Sequence, residues 1–332
     1  MNRRDTAATL FLIAFPFLFY FPVTLGTSAW YTRDISRVYH PFAVELSRAL
    51  NEGRLPLWTP YLQGGFPLLA EGQVAAFYLP QLLLVKFLPA HFAISYEMLL
   101  HIAFAGVGMY YCTRTFGSSA AGALVAGFAF SFNGFMLQKL YHTPILLTAA
   151  WLPWLIVLFE RWQRARKRRS TGAGFWLLFC ALAIAMQWLA GSAQTAFLNS
   201  IVLGVYGLVG RLFWDRVDNS ADQKIPAIVG AVIAPAIPLF LGTALAAMQL
   251  FPTMELLSYS TRAHGLDEKL LTLYSYSSGS LAQYIFPFSQ GEPSDDNVEL
   301  WGYCGLATML LAVSALRTRR MCGQCFGLLW LS

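Results

Sequence analysis

The sequence predicts an all-α, polytopic membrane protein. Three observations carry that prediction: a shortage of charge, apolar stretches of bilayer length, and a one-sided distribution of Lys and Arg. Of 332 residues, 57% are hydrophobic and 12% charged, with a mean hydropathy of +0.51, whereas a soluble domain carries roughly 25% charged residues. A helix crossing a hydrocarbon core of ~30 Å needs about 20 mostly apolar residues. Stretches approaching that length run over residues 9–30, 92–113, 118–137, 144–159, 173–190, 193–213, 225–250 and 301–316.

The opening "MNRR" followed by an apolar run lacks a small-residue cleavage site and is expected to be an uncleaved first helix. The closing "FGLLWLS" reaches about a third of the way across a bilayer. That implies either an interfacial end or a chain lacking the carboxyl-terminal helices of longer relatives. Cys112, Cys180, Cys304, Cys322 and Cys325 are scattered through or beside the spans and imply no disulfide framework.

Orientation follows from the cations, because short cytoplasmic loops hold the excess of Lys and Arg. With the amino terminus inside, fifteen of the 23 fall on the cytoplasmic side, six of them in "RWQRARKRR" at 161–169, and eight fall outside. Residues about 31–91 and 251–300 then form two long external loops of a single transmembrane domain spanning 1–332. The net charge of +6 is thereby a topology signal. Its cations are spread over loop ends rather than gathered with stacking aromatics, which argues against nucleic acid and for membrane lipid as a partner.

The first external loop opens with "WYTRDISRVYHPF", in which Arg33, Asp34, Arg37 and Tyr39 crowd together directly after an apolar run. "HPFAVELSRALNEGRLP" reads as a short amphipathic helix. Pro41 suits its first position, Phe42, Leu46 and Leu50 recur on one face, and Gly53 with Pro56 stops it. Glu45, Arg48 and Glu52 are expected on the opposite, wet face, with the helix lying in the membrane interface. The stretch at 74–88, holding Pro80 and Lys86, reads as a re-entrant or interfacial piece. Gly64 and Gly65 permit close backbone approach, and Glu71 and Gln73 add polar groups. By the same topology Lys139, Tyr141 and His142, Gln194, and Glu255 with Arg262 emerge on the side of Asp34. Glu97 and His101, four apart in the second span, are expected to form a buried hydrogen-bonded pair.

"RDISRVYHPF", "GRLPLWTPYLQGGFPLLAEGQVAAFYLPQLLL", "AAWLPWLIVLFER", "GSAQTAF" and "QLFPTMELLSYSTR", in that order, resemble the YfhO-type bacterial membrane proteins of the GT-C glycosyltransferase superfamily. The resemblance runs over about residues 7–316. It implies a GT-C-like helical bundle in the bacterial cytoplasmic membrane whose long first external loop contains interfacial helices. It also implies use of polyprenyl-phosphate-linked sugars and an essential acid in the first external loop, which falls on Asp34. Many relatives carry a second acid one or two residues away; here the run is Asp34, Ile35, Ser36. A paired-carboxylate metal site is therefore in doubt, and a divalent metal is left open.

The chemistry this implies is transfer of a sugar to a cell-envelope glycan or polymer outside the membrane, where the donor must arrive already activated on a lipid. Asp34 is the expected general base, a role typically contributing about 10²- to 10⁴-fold. Arg37, with Arg262 or Lys139, is assigned to the lipid phosphate, since a planar guanidinium grips two oxygens at once, and Arg33 is a further substrate-binding residue. His142 would orient the acceptor, bind phosphate or ligate metal. Tyr39, Glu71, Gln73 and Gln194 complete the expected substrate site. The rival readings are a transporter or flippase for lipid-linked saccharides, which calls for broken helices and a midplane site, and a non-catalytic membrane subunit.

Overall fold

A computed structural model of the protein describes residues 2–213, 227–261, 263, 265, 278–286, 289, 303 and 305–316. Among these residues the only pairing of extended backbone is an isolated antiparallel bridge between Thr59 and Phe66. The rest of the regular structure is helical: α1 (Arg3–Phe19), α2 (Phe21–Thr24), α3 (His40–Asn51), α4 (Leu79–Phe87), α5 (Ala90–Thr115), α6 (Ala120–Ser131) and α7 (Gly134–Gln138). After these come α8 (Thr143–Ala149), α9 (Leu152–Lys167), α10 (Ala173–Leu189), α11 (Ala193–Phe213), α12 (Ala227–Leu245), α13 (Ala247–Ser258) and α14 (Leu306–Leu316). Among the described residues, four segments are long and apolar enough to cross a bilayer: α5, Ala120–Tyr141, Thr143–Lys167 and Ala193–Gly210. A bent pair, α12 with α13, makes a fifth. Large apolar side chains such as Phe240 and Phe251 stand outward at more than 70% exposure, which on a multi-pass membrane protein is the surface that lipid covers.

Three of the predicted stretches end early or bend, each for a local reason. The stretch expected at 9–30 ends as a helix at Phe19, because Pro22 has no amide hydrogen and its ring crowds the carbonyl one turn back. Thr24 Oγ1 then donates to the Phe17 carbonyl at 2.7 Å. The stretch at 118–137 breaks at Phe132, after which Asn133 Oδ1 caps α7 by accepting the Met136 amide at 2.7 Å. The stretch at 225–250 stops at Leu245 and turns by 73° into α13.

Close packing at the bundle centre rests on small residues. A Cβ on Gly127 of α6 would stand 2.6 Å from the Gly106 carbonyl oxygen of α5, so only glycine permits this contact. The first loop has an apolar core of its own, in which Ile35, Phe42, Leu46, Leu68, Val74 and Val85 pack against Ile94 and Met98 of α5. This corrects the interfacial reading of α3, whose apolar face is covered by protein. Glu45, expected on the wet face, is buried. It accepts from Thr59 Oγ1 at 2.7 Å and pairs with Arg48 at 2.9 Å, because the Thr59–Phe66 segment folds over that side of the helix. Gly53 (φ +68) ends α3 as expected, with the Arg54 amide reaching back to the Ala49 carbonyl at 3.0 Å. Gly65 lies under the Trp58 ring, where a Cβ would meet it at 2.6 Å.

Candidate functional site

The polypeptide leaving α2 crosses the amino-terminal end of α5, where the Trp30 amide donates to Ser95 Oγ at 3.3 Å. Arg33 then adopts a left-handed conformation, φ +50, which costs a residue with a Cβ roughly 1–2 kcal/mol. A single π turn, Ile35–Tyr39, follows and runs directly into α3. Ser36 Oγ fastens the bend by donating to the Arg33 carbonyl at 2.9 Å. Strained backbone and π turns concentrate at functional sites, and here they set the direction of two side chains. The Arg33 guanidinium stands 4.7 Å from the centre of the Tyr141 ring, and Asp34 Oδ2 lies 3.1 Å from His142 Nδ1. His142 is held at the start of α8, between a 3-10 turn (Lys139–Tyr141) and Pro144. The Asp34 side chain is 44% exposed and that of His142 26%, so the pair is open to a ligand. An Nδ1–H donated to the carboxylate leaves the imidazole Nε2 for a second partner.

Beside this pair, Tyr39 O–H donates to Gln73 Oε1 at 3.4 Å, and Glu71 Oε1 accepts the Gln73 amide at 3.1 Å. Burial, and after it the Asp34 and Glu71 carboxylates, push the Tyr39 phenol far above its ordinary range. Tyr39 is thus a fixed proton-bearing donor. The backbone under Gln73 is pinned from two sides. Gly191 (φ +101), between α10 and α11, is so close that a Cβ would stand 3.1 Å from the Gly72 carbonyl oxygen. From α13, Gln249 Nε2 donates to the Leu69 carbonyl and Thr253 Oγ1 to the Ala70 carbonyl, each at 2.8 Å. These contacts account for the 73° turn, since they draw α13 sideways onto the first loop. Sequence reasoning missed Gln249 and Thr253; their signal is a pair of polar residues four apart on an apolar helix.

Of the sequence-predicted residues, Arg33, Asp34, Tyr39, Glu71, Gln73 and His142 therefore come together around the π turn and the 71–73 segment. Lys139, expected to face outward, is buried at 5% exposure. Arg37 is exposed on the π turn. Gln194 is exposed in the first turn of α11 and Glu255 is exposed on α13, and neither takes part in these contacts. Arg262, Cys304, Cys322 and Cys325 lie outside the described residues, as does most of the loop expected at 251–300. Among the described residues no third His, Cys, Asp or Glu joins Asp34 and His142 in a cluster able to hold a metal; these two are the ligands the described site offers.

One turn deeper, the expected Glu97–His101 side-chain pair does not form. His101 Nδ1 lies 2.7 Å from the Glu97 backbone carbonyl, which can only accept, so Nδ1 bears the hydrogen. Nε2 then accepts from Tyr78 O–H at 2.5 Å, and Tyr78 in turn accepts from Trp151 Nε1 at 3.0 Å. The chain ties the 75–78 segment to α5 and α9, while Glu97 Oε1 is buried with no hydrogen-bond partner among the described residues. Cys112 and Cys180 are free, buried thiols. Comparison of the chain with known protein families, with curated proteins and with solved structures finds no match.

Proposed function

We propose that this multi-pass membrane protein is a glycosyltransferase of the GT-C type that its YfhO-like segments suggest. It moves a sugar from a polyprenyl-phosphate carrier to a cell-envelope glycan or polymer at the external face of a bacterial cytoplasmic membrane. The observation that carries this reading is the Asp34–His142 contact at 3.1 Å. It joins the acid of the first loop to an imidazole more than a hundred residues away, at a spot open to ligand. Asp34 is the general base. Held at Oδ2 by His142, it takes the acceptor hydroxyl proton as that oxygen attacks the anomeric carbon. The bond from that carbon to the phosphate oxygen breaks, with inversion, and the lipid phosphate departs carrying the negative charge. Arg33 and Arg37 stabilise that charge, and Tyr39, its O–H given to Gln73, fixes the 71–73 segment beside them. The basic run at 161–169 sits at the far end of α9 from His142, which supports an external Asp34 with an internal amino terminus.

Membranes carrying the protein, given a polyprenyl-phosphate sugar, test this. Asp34→Asn should cut transfer at least ~100-fold and His142→Gln by a smaller factor, with unchanged thermal unfolding. Full transfer by Asp34→Asn removes the assignment. Cysteines introduced at 34 and 142 should react with an impermeant reagent from outside.

The transporter reading draws on the 73° break between α12 and α13. That break, however, docks α13 on the Leu69 and Ala70 carbonyls beside the Asp34 site. Movement of the lipid-linked sugar across vesicles without transfer would favour the transporter.

A further inference from the structure

We propose that the end of α9 and α10 away from His142 holds the phosphate of an anionic phospholipid at Arg161, with an acyl chain laid along the outer face of α10. This site is independent of the glycosyltransferase reading.

α9 ends in a cationic tip that folds back at once. The Arg168 amide donates to the Arg164 carbonyl at 3.1 Å, Arg169 is left-handed (φ +48), and Ser170 Oγ accepts the Gly172 amide at 3.2 Å. α10 therefore starts within a few residues and packs back along α9. Arg161, Arg164 and Arg168, spaced three and four apart, share the exposed face of this tip. They are not equivalent. Arg164 is spent on protein, donating to Glu160 Oε2 at 3.3 Å and to the Thr115 carbonyl at 3.0 Å. Glu160 Oε1 accepts from Tyr206 O–H at 2.6 Å, so the acid next to Arg161 in the chain already has a partner on each oxygen. No acid among the described residues pairs with Arg161 or Arg168. Arg166 and Lys167 have partners of their own, and the site does not draw on them.

Arg161 is held in place by a ring. Its guanidinium lies 4.9 Å from the centre of the Trp176 ring, in the first turn of α10, and Trp176 stands edge-on to Phe175 at 5.4 Å. From there an apolar stripe runs along α10, in which Phe175, Leu178, Phe179 and Leu182 recur at spacings of three and four and all face outward. Six residues separate Arg161 from the last residue of α9, about 9 Å of helix. The cation thus sits where headgroups meet hydrocarbon, the level that Trp rings also favour. A positioned cation at the head of a lipid-facing stripe is complementary to an amphiphile with an anionic head. A zwitterionic head would bring a cation of its own toward the exposed Arg168 and Arg169, which selects the anionic class.

Native mass spectrometry of the full chain tests this, in micelles doped with equal amounts of phosphatidylglycerol and phosphatidylcholine of one chain length. Phosphatidylglycerol should be retained in preference. Arg161→Gln should lower its retention about fivefold, the worth of one cation near a lipid surface, and Arg168→Gln should lower it by less. Trp176→Leu keeps every charge and removes the ring that holds Arg161, and should also lower it. Arg164→Gln should lower the unfolding temperature and leave the lipid preference unchanged. Phosphatidylglycerol bearing a photoreactive acyl chain should label α10 between Phe175 and Leu182, and excess glycerol phosphate should not displace it. If Arg161→Gln does not fold, Trp176→Leu and the labelling map decide. Equal retention of the two lipids, an unchanged preference in the folded variants, or labels confined to other helices would overturn the proposal and leave the arginines as a solvated cationic face.

Discussion

Asp5 and Asp34 are two carboxylates at opposite ends of the bundle, and they are housed differently. Asp5, in the first turn of α1, accepts from Tyr110 O–H at 2.6 Å and from Arg114 Nε at 3.0 Å, both from the far end of α5. Its side chain is 14% exposed. Asp34 has one partner among the described residues, His142, sits next to a left-handed arginine, and is 44% exposed. The same residue type closes a helix pair where its oxygens are saturated and keeps capacity for a ligand where they are not. Saturation, rather than the presence of an acid near a base, separates the architectural pair from the candidate reacting pair.

The sharpest way to break that comparison is to neutralise each acid. Asp34→Asn is expected to lose at least ~100-fold in sugar transfer with little change in unfolding temperature. Asp5→Asn is expected to lower the unfolding temperature and leave transfer per folded molecule intact. A common phenotype for both would erase the distinction. Next in size, Leu46→Ala empties a fully buried position in the core of the first loop and should cost about 2–5 kcal/mol in unfolding free energy; an interfacial helix would lose far less. Gln249→Leu strips the Leu69 carbonyl of its donor. It should destabilise by about 1–3 kcal/mol and raise proteolysis of the 69–74 segment, with no matching change at the Asp5 end.

The smallest expected effect is a pH dependence. Burial, and then neighbouring His91, hold the His40 imidazole below its ordinary 6.5, and the Tyr31 ring stands edge-on to it at 5.0 Å. The folded chain therefore resists a proton that the unfolded chain accepts. Stability is complete above about pH 6.5 and declines as pH falls toward the depressed value. His40→Gln should flatten that decline in thermal melts taken between pH 7 and 5, and an unchanged slope would assign it to other groups.

The helical class, several of the apolar spanning helices and the emergence of Asp34 and His142 on one side were legible in the sequence. Apolar length is a local property, and span parity alone brings the ends of alternate helices to one side. The breaks at Tyr20 and Phe132 were legible in principle from Pro22 and the Asn133–Gly134 step, but composition summed over a 20-residue window averages them away. Glu45 was not legible. It flanks the apolar face of α3, and what buries it is Thr59, fourteen residues on, brought back by a bridge with no strand pattern. Nor did the four-residue spacing of Glu97 and His101 reveal that the imidazole would prefer the backbone carbonyl of its own helix to the carboxylate.

Gln249 and Thr253 grip main-chain oxygens, not side chains. Every amino acid carries a carbonyl, so this hold makes no demand of its own on the side chains at 69 and 70, while it does fix the two gripping positions. At Ala70, which is only half-buried, sequence variation among descendants should therefore be broader than at Gln249 and Thr253.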